Sequence, residues 1–341
     1  MIDLKGLNAQ EMEQWAVDQG LEPFRAHQIR QWLFKKLVLS FEEMTNLPKN
    51  LRSLLQDKAV ITTLECVKIQ ESHDGTKKYL FRLRDGYFVE SVLIPELNHY
   101  TCCVSSQVGC AMDCRFCLTA KRGLTRNLSS SEIIEQVIHV KRSVPDQDQV
   151  RNIVFMGMGE PLANYEAVKK TTINLMNDDG LNFSKRRITL STCGLVPGIR
   201  RLGSEMNIKL AVSLNAPDDE IRDELMPVNR KYPLKKLLEA CRTFPLHKGE
   251  RITFEYVLIK GINDRDQDAR NLAKLLTGIR SKINLIPLNP HKETRMLPPS
   301  EETVLRFQDI LLKKHMTAIV RESRGSDILA ACGQLGNEGM D

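Results

Sequence analysis

One alternation restricts the fold of this 341-residue chain more than any other feature. From Tyr100 onward, short apolar runs are each followed by a helix-like segment. The runs are Thr101–Ser105, Asn152–Met156, Arg187–Leu190, Ile208–Val212, Ile252–Leu258 and Ile283–Leu288. The clearest helical stretches between and after them are Ser129–Arg142, Tyr165–Asn177, Pro233–Thr243, Asp266–Thr277 and Ser300–Lys314. The first opens on Ser129-Ser130-Ser131-Glu132, a capping box with Ser129 as the cap. Strands alternating with helices build a parallel sheet covered by helices. Six such units predict an α/β fold, a full or partial (β/α)6 barrel. A last strand, Thr317–Arg321, leads into a Gly-rich tail.

Upstream the pattern differs. Ala9–Gly20 and Phe24–Val38 read as helices, the second with Ile29, Trp32, Leu33 and Leu37 at helical spacing. Its other face carries Arg25, His27, Arg30, Lys35 and Lys36. Phe41–Leu55 predicts a third helix, interrupted at Leu47-Pro48. Thr62–Glu71, Lys78–Arg84 and Tyr87–Pro95 then read as strands, joined at Asp74-Gly75 and Asp85-Gly86, where Asp-Gly favours a hairpin. The expected organisation is a small helical accessory module over 1–59, a short antiparallel β extension over 60–98, the barrel over 99–322 and a tail over 323–341. No run approaches the roughly 20 apolar residues of a membrane span. Met1–Gly6 has no signal-peptide pattern, so residence in the cytoplasm is expected. A formal net charge of +6 permits a nucleic-acid partner without demanding one.

Nine cysteines in a chain without a visible secretion signal point to metal or redox chemistry rather than a disulfide framework. Three of them, Cys110, Cys114 and Cys117, stand at C-x3-C-x2-C in the loop after the first parallel strand. Three thiolates leave a four-coordinate centre one ligand short, and open metal sites are the catalytic kind. Zinc motifs usually pair two close doublets, and no second C-x2-C occurs. Cysteine thiolates are the standard ligands of iron–sulfur clusters.

Chemistry in such barrels collects at the C-terminal ends of the strands. This chain places Gly157-Met158-Gly159-Glu160-Pro161, Ser191-Thr192-Cys193-Gly194, Ser213-Leu214-Asn215-Ala216-Pro217 and Asn289-Pro290 there. Each has a plainer explanation. Gly159 and Pro161 suit a turn and Glu160 a helix start, while Ser191 and Ser213 suit helix caps and Asn289 an Asx-turn. Their convergence with the thiols on one mouth favours a shared site.

Cys103–Cys110, Phe155–Leu162, Asp219–Glu224, Ile283–Pro290 and Ala331–Leu335, together with the cysteine triplet, resemble the dual-specificity 23S rRNA/tRNA adenine-C2 methyltransferases of the radical S-adenosylmethionine (SAM) class. The resemblance spans nearly the whole chain and is weakest over the first sixty residues. It implies that Cys110, Cys114 and Cys117 ligate a [4Fe–4S] cluster whose free iron chelates SAM. Gly159 and Glu160 would hold the amino end of SAM, and Ser191, Ser213, Leu214, Asn215 and Asn289 the rest. Many relatives have His where this chain has Asn215. Two SAM molecules would serve each turnover: one methylates Cys332, the other yields a radical that activates the methyl group. Addition to C2 would give a protein–RNA adduct, with Glu90 accepting the C2 proton. Cys103 would release the product, leaving a Cys103–Cys332 disulfide.

Plainer readings also exist for these residues, namely a buried terminal thiol for Cys332 and an exposed strand carboxylate for Glu90. Cys102 and Cys103 point to opposite faces of one strand, and the match selects Cys103. Cys66, Cys193 and Cys241 read as structural. Candidate RNA contacts are Arg25, Arg30, Lys35 and Lys36, the run Lys121-Arg122 to Arg126, and Lys185-Arg186-Arg187; each is equally explained as a solvated charged face. The adenine is expected to enter the barrel mouth, flipped out. The implied electron donor is a flavodoxin or ferredoxin, and a monomer is the default. Methylation at adenine C8 by the same chemistry, and a non-catalytic RNA-binding protein with a cysteine metal site, remain open on these residues.

Overall fold

The computed structural model describes residues 1–206 and 208–336. Its centre is one ten-stranded sheet whose strands lie side by side in chain order. They are β1 (Glu65–Glu71), β2 (Lys77–Arg82), β3 (Phe88–Pro95), β4 (Tyr100–Cys103), β5 (Val150–Phe155), β6 (Ile188–Thr192), β7 (Lys209–Ser213), β8 (Ile252–Leu258), β9 (Ser281–Pro287) and β10 (Ala318–Val320). β1 to β4 pair antiparallel, because the connections between the first three are tight turns in which Gly75 and Gly86 take φ of +81° and +87°. From β4 to β10 every pairing is parallel. Helices Ser130–Arg142, Tyr165–Met176, Val196–Glu205, Leu234–Arg242, Asp266–Leu275 and Glu301–Lys313 carry the chain back between those strands. The first of them has the expected capping box, with both the Glu132 N–H to Ser129 Oγ and the Ser129 N–H to Glu132 bonds made. The sheet is open, with β10 and β1 at its edges, so the barrel is partial.

The two faces of the parallel strands differ. Ile153, Phe155, Leu190, Leu210, Val212, Phe254, Tyr256, Ile283 and Leu285 pack away from solvent in the main core. The alternate residues line two cavities on the concave side, and many are small or polar: Thr101, Thr189, Ser191, Ala211, Ser213, Thr253, Glu255 and Asn284.

The helical module is Ala9–Asp18, Phe24–Phe34 and Lys49–Lys58. The expected third helix therefore starts later. Residues 41–47 form turns, and the helix begins only after Pro48, which keeps its preceding residue out of the helical region. Arg30 is not part of a basic face. It is buried and donates to the Leu7 carbonyl at 3.2 Å and to Asn174 Oδ1 at 3.1 Å, which ties the module to helix Tyr165–Met176. Lys5, fully buried, pairs with Glu135 and fixes the same module to helix Ser130–Arg142.

One unexpected element frames the cysteine loop. Gln107–Gly109 pairs antiparallel with Leu124–Asn127. A side chain on Gly109, at φ +75°, would place its Cβ 1.8 Å from the Gly123 carbonyl oxygen.

After β10 the chain has one short 3-10 turn, Ser326–Ile328, among its described residues. It runs back to the antiparallel strands at the other end of the sheet. Asp327 accepts from Ser72 Oγ at 2.6 Å, Asp74 accepts the Gly325 N–H at 3.0 Å, and Lys78 Nζ donates to the Leu329 carbonyl at 3.2 Å. Residues 337–341 of the expected tail lie outside the described residues. Among the described residues, no helix is long and apolar enough to cross a membrane.

Candidate active site

The cysteine loop hangs between fixed points. The Cys110 N–H donates to the Gly123 carbonyl at 2.8 Å, and the Arg115 N–H to the Leu225 carbonyl at 3.0 Å. Arg115 also pairs with Glu224 at 2.9 Å. Cys110, Cys114 and Cys117 thereby share one wall of a cavity at the C-terminal ends of the parallel strands. Burial pushes the Cys110 thiol up to about 12 and raises Cys114 and Cys117 as well. These sulfurs become thiolates when a cation takes the place of the proton.

Among the described residues, no three His, Cys, Asp or Glu side chains are placed to hold one metal ion. A cluster does not ask for that, since each thiolate meets its own iron. An all-sulfur donor set in the apolar company of Leu225, Met226, Ile259 and Leu288 fits an iron–sulfur cluster.

Opposite the thiols stand the strand ends. Gly159 has φ +100°, and a Cβ there would come within 2.5 Å of Gln107. Glu160 is buried and accepts N–H bonds from Leu162 at 2.9 Å and Cys193 at 2.8 Å. It is thus the helix cap of the plainer reading, and it also lines the cavity. Burial raises its pKa against the opposing pull of those two amides.

Among the described residues, Ser191 and Ser213 cap no helix. Both donate to Glu255, at 2.6 and 3.2 Å. Glu255 was not anticipated. Its signal in the sequence is a lone carboxylate inside the apolar run Ile252–Leu258.

Asn215 has φ +59°, a conformation for which Asn is among the better side chains. Its Oδ1 accepts the Val257 N–H at 2.8 Å, which locks the end of β7 to β8. The Leu214 side chain is buried and absent from the cavity walls; only its backbone is engaged, donating to the Glu255 carbonyl at 2.9 Å. Arg222, also unanticipated, sits fully buried and donates to the carbonyls of Leu214 at 3.1 Å and Cys193 at 2.7 Å. Cys193, read from sequence as structural, is part of the cavity wall.

Cys332 stands between this cavity and a second one deeper in the barrel, lining both together with Met156, Ile286, Asn289 and Leu335. Asn289 Nδ2 donates to the Cys332 carbonyl at 3.1 Å. On the far side of the thiol, the Leu118 N–H donates to the Gly333 carbonyl at 2.7 Å and Thr119 Oγ1 to the Leu335 carbonyl at 2.6 Å. Cys332 keeps an open surface, yet the surrounding protein withdraws enough solvent to push its thiol up to about 11.

Cys103 lines the second cavity. Burial first, and then the Cys332 thiol, raise its pKa. Cys102 faces the other side of the sheet, within reach of the Lys141 charge. All nine cysteines are free, so the expected disulfide is not formed in this structure.

Glu90 is no exposed carboxylate. It is 1% exposed, pairs with the equally buried Lys78 at 3.2 Å and accepts the Gly336 N–H at 2.7 Å. It touches the tail but lines neither cavity. Of the basic stretches, Arg126 is occupied by Asp85 and Glu132, and Arg122 by Glu293.

A partial α/β barrel with three thiols after its first parallel strand and polar residues closing the others defines the radical SAM class. The Radical SAM superfamily profile matches residues 104–273, and that of the ribosomal RNA large subunit methyltransferase N-terminal domain matches residues 2–61. A radical SAM methyltransferase from Sphaerobacter thermophilus superposes with a TM-score of 0.94 at 46% identity, over 98% of this chain and 99% of that one. The dual-specificity RNA methyltransferase RlmN of Geobacter sulfurreducens is 56% identical over 335 residues, 98% of this chain and 92% of that protein. Its counterpart from Syntrophus aciditrophicus is 50% identical over 340 residues, 100% and 98% of the two. The chain belongs to the dual-specificity RNA methyltransferase RlmN family. Enzymes of the radical SAM class work with SAM and a [4Fe–4S] cluster.

Proposed function

We propose that this chain methylates C2 of an adenine in 23S rRNA and in tRNA, with Cys332 as the methyl carrier. The supporting observation is the position of Cys332 in the wall shared by two cavities. One is lined by the cluster thiols and the strand-end polar groups, the other by Cys103. When bound, the cluster held by Cys110, Cys114 and Cys117 supplies an electron, and two SAM molecules per turnover supply the methyl group and the hydrogen-abstracting radical.

Gly159 and Glu160, which line the same cavity as the cluster thiols, would hold the amino end of SAM. Ser191, Ser213, Asn215 and Asn289 orient the remainder, and Leu214 acts through its backbone. Cys103, which senses the Cys332 thiol in its own raised pKa, forms a disulfide with Cys332 as the carbon–sulfur bond to the product breaks; one proton and one electron leave in that step, the electron to the cluster when bound, and a reductant then reopens the disulfide. Glu90 takes the C2 proton, and its bond to Gly336 links it to the carrier segment. Residues 1–59 form an RNA-binding accessory unit, 60–98 a β extension, 99–322 the catalytic barrel and 323–341 the carrier tail. In this reading the enzyme is a cytoplasmic monomer that draws electrons from a flavodoxin or ferredoxin.

The test is to incubate cluster-reconstituted protein with SAM, reductant and rRNA or tRNA transcripts, and to digest the RNA for mass spectrometry. 2-Methyladenosine is expected. 8-Methyladenosine would replace the C2 assignment, and unmodified RNA beside methylated Cys332 would remove RNA as the acceptor.

A further inference from the structure

The concave face of a barrel is ordinarily filled by branched apolar side chains. In this chain the end of that face away from the cluster is polar and charged. Side chains on one face of a strand recur at every second residue. Traced back from the active-site end, the inward files read Ser191 and Thr189 on β6; Ser213, Ala211 and Lys209 on β7; Glu255 and Thr253 on β8, with Arg251 one residue before that strand; and Ile286, Asn284 and Lys282 on β9. Three of these neighbouring files, on β7, β8 and β9, begin with a cation, and Arg187 ends a 3-10 turn just before β6. Arg321, just past β10, joins them.

The structure brings these charges together. Lys282 and Arg321 line the second cavity, the one that holds Cys103 and Cys332. Burial, and then the like charges of Lys209, Arg321 and Arg251, lower the pKa of Lys282, which puts all three within Coulombic reach of it. Arg321 also acts on Cys332, so the same group spans from the rim towards the carrier thiol. Arg187 donates to Asn152 at 3.2 Å, and Asn152 in turn to Thr101 at 3.2 Å, on the next inward files. Among the described residues, Lys209, Arg251, Lys282 and Arg321 are paired with no carboxylate, and Arg251 bonds only Thr317. A solvated charged face mixes both signs and points outward. Here cations predominate around the end of a cavity; the carboxylate in its lining, Glu322, stands 4.0 Å from Arg324, and the remaining cations repel one another until a polyanion binds.

We propose that this basic rim, at the N-terminal ends of the parallel strands, binds the RNA backbone, and that the target adenine enters the barrel through it. The inference rests on the RNA methyltransferase reading above and changes the expected route. SAM would reach Cys332 from the cluster side and the base from the opposite end. Cations at or just before the starts of four adjacent strands spread over roughly 14 Å at the spacing of a sheet, which suits consecutive phosphates better than one small anion. Folded RNA presents unstacked bases with phosphates on either side, the form such a rim would accept.

The experiment measures binding of a tRNA or rRNA-hairpin transcript to the cluster-reconstituted, full-length protein as a function of KCl. In Lys209→Gln/Arg251→Gln, which leaves the cavity lining intact, the slope of log K against log salt should fall by about 1.5, at about 0.7–0.9 per phosphate contact. Affinity near 0.1 M salt should drop on the order of tenfold or more. Methyl transfer from SAM to Cys332 in RNA-free protein should proceed at the parent rate. Parent-like slope and affinity in that variant, with Cys332 methylated normally, would overturn the proposal. So would displacement of RNA from the parent by equimolar inorganic phosphate, which would make the rim a small-anion site. If the double variant does not fold, Lys209→Gln at the exposed start of β7 is read the same way, with a slope change of about one contact. A parent protein that methylates neither Cys332 nor RNA would instead remove the function itself, while the binding slopes still report on the rim.

Discussion

Two segments carry the sulfur chemistry, and they are held in opposite ways. The cluster loop is pinned by backbone: a short antiparallel hairpin at its base and main-chain bonds to Gly123 and Leu225. The carrier tail has almost no regular structure. Apart from one main-chain bond, Leu118 N–H to the Gly333 carbonyl, it is gripped by separate side chains, Asn289, Thr119 and Lys78, each donating to a tail carbonyl. Backbone ladders hold or fail together, whereas single side-chain bonds of about 1 kcal/mol break one at a time. Ligands of a metal centre need fixed positions. A thiol that collects a methyl group in one place and delivers it in another needs a hold that releases.

The sharpest test of that contrast is a pair of deletions. Cys114→Ala should reduce bound iron and labile sulfide to background and abolish RNA methylation. Cys332→Ala should keep its iron and still transfer no methyl group. Iron assay and radiolabel transfer distinguish the two, and iron loss in Cys332→Ala would erase the distinction between loop and tail.

Next in size is Cys103→Ala, in which a covalent protein–RNA species should accumulate and migrate as a shifted band on a denaturing gel. Release of free methylated RNA at the parent rate would sink the role given to Cys103.

Lys78→Met strips a buried charge pair of one partner and frees the Leu329 carbonyl, so a loss of about 3–5 kcal/mol in denaturant stability is expected. Protease cleavage should rise within 325–336 while bound iron stays constant. Uniform loosening, iron included, would mean the tail is not separately held.

The smallest effect is on pH. Burial pushes the Asp74 carboxyl up, but hydrogen bonds from Thr76, Gly325 and Ser72 outweigh it and hold it at about 2, below its usual 3.8. A depressed carboxyl stabilises the fold above its unfolded pKa and loses that contribution as pH falls through the folded one. The tail anchor at Gly325 should therefore be complete above about pH 4 and lost towards pH 2. Thermal midpoints measured against pH should show that limb in the parent and flatten it in Asp74→Asn.

The parallel strands and their helices were legible because periodicity and capping are local, as at Ser129–Glu132. The cysteine loop was legible because its three thiols fall within eight residues. What stayed hidden depends on partners distant in the chain. Arg30 reads as one more cation on a basic helix face until Leu7 and Asn174 close over it. Glu90 and Lys78 look like ordinary strand charges, and only the returning tail explains their burial. Glu255 could have been found from its place in an apolar strand, but its partners Ser191 and Ser213 come from two other strands. Phe41–Leu47 misled because Pro48, read as an interruption within one helix, instead marks where the helix starts.

The open sheet has a mechanical corollary. A closed barrel seals its last gap with a ladder of main-chain bonds, and separating those strands means partial unfolding. Here the tail leaves β10 and fastens to β2, β3 and the turn between β1 and β2, towards the opposite edge of the same sheet. It acts as a laced seam. Such a seam unfastens without disturbing a single rung of the sheet, so the interior is accessible at the cost of a few side-chain contacts, and the segment that loosens is the one bearing Cys332.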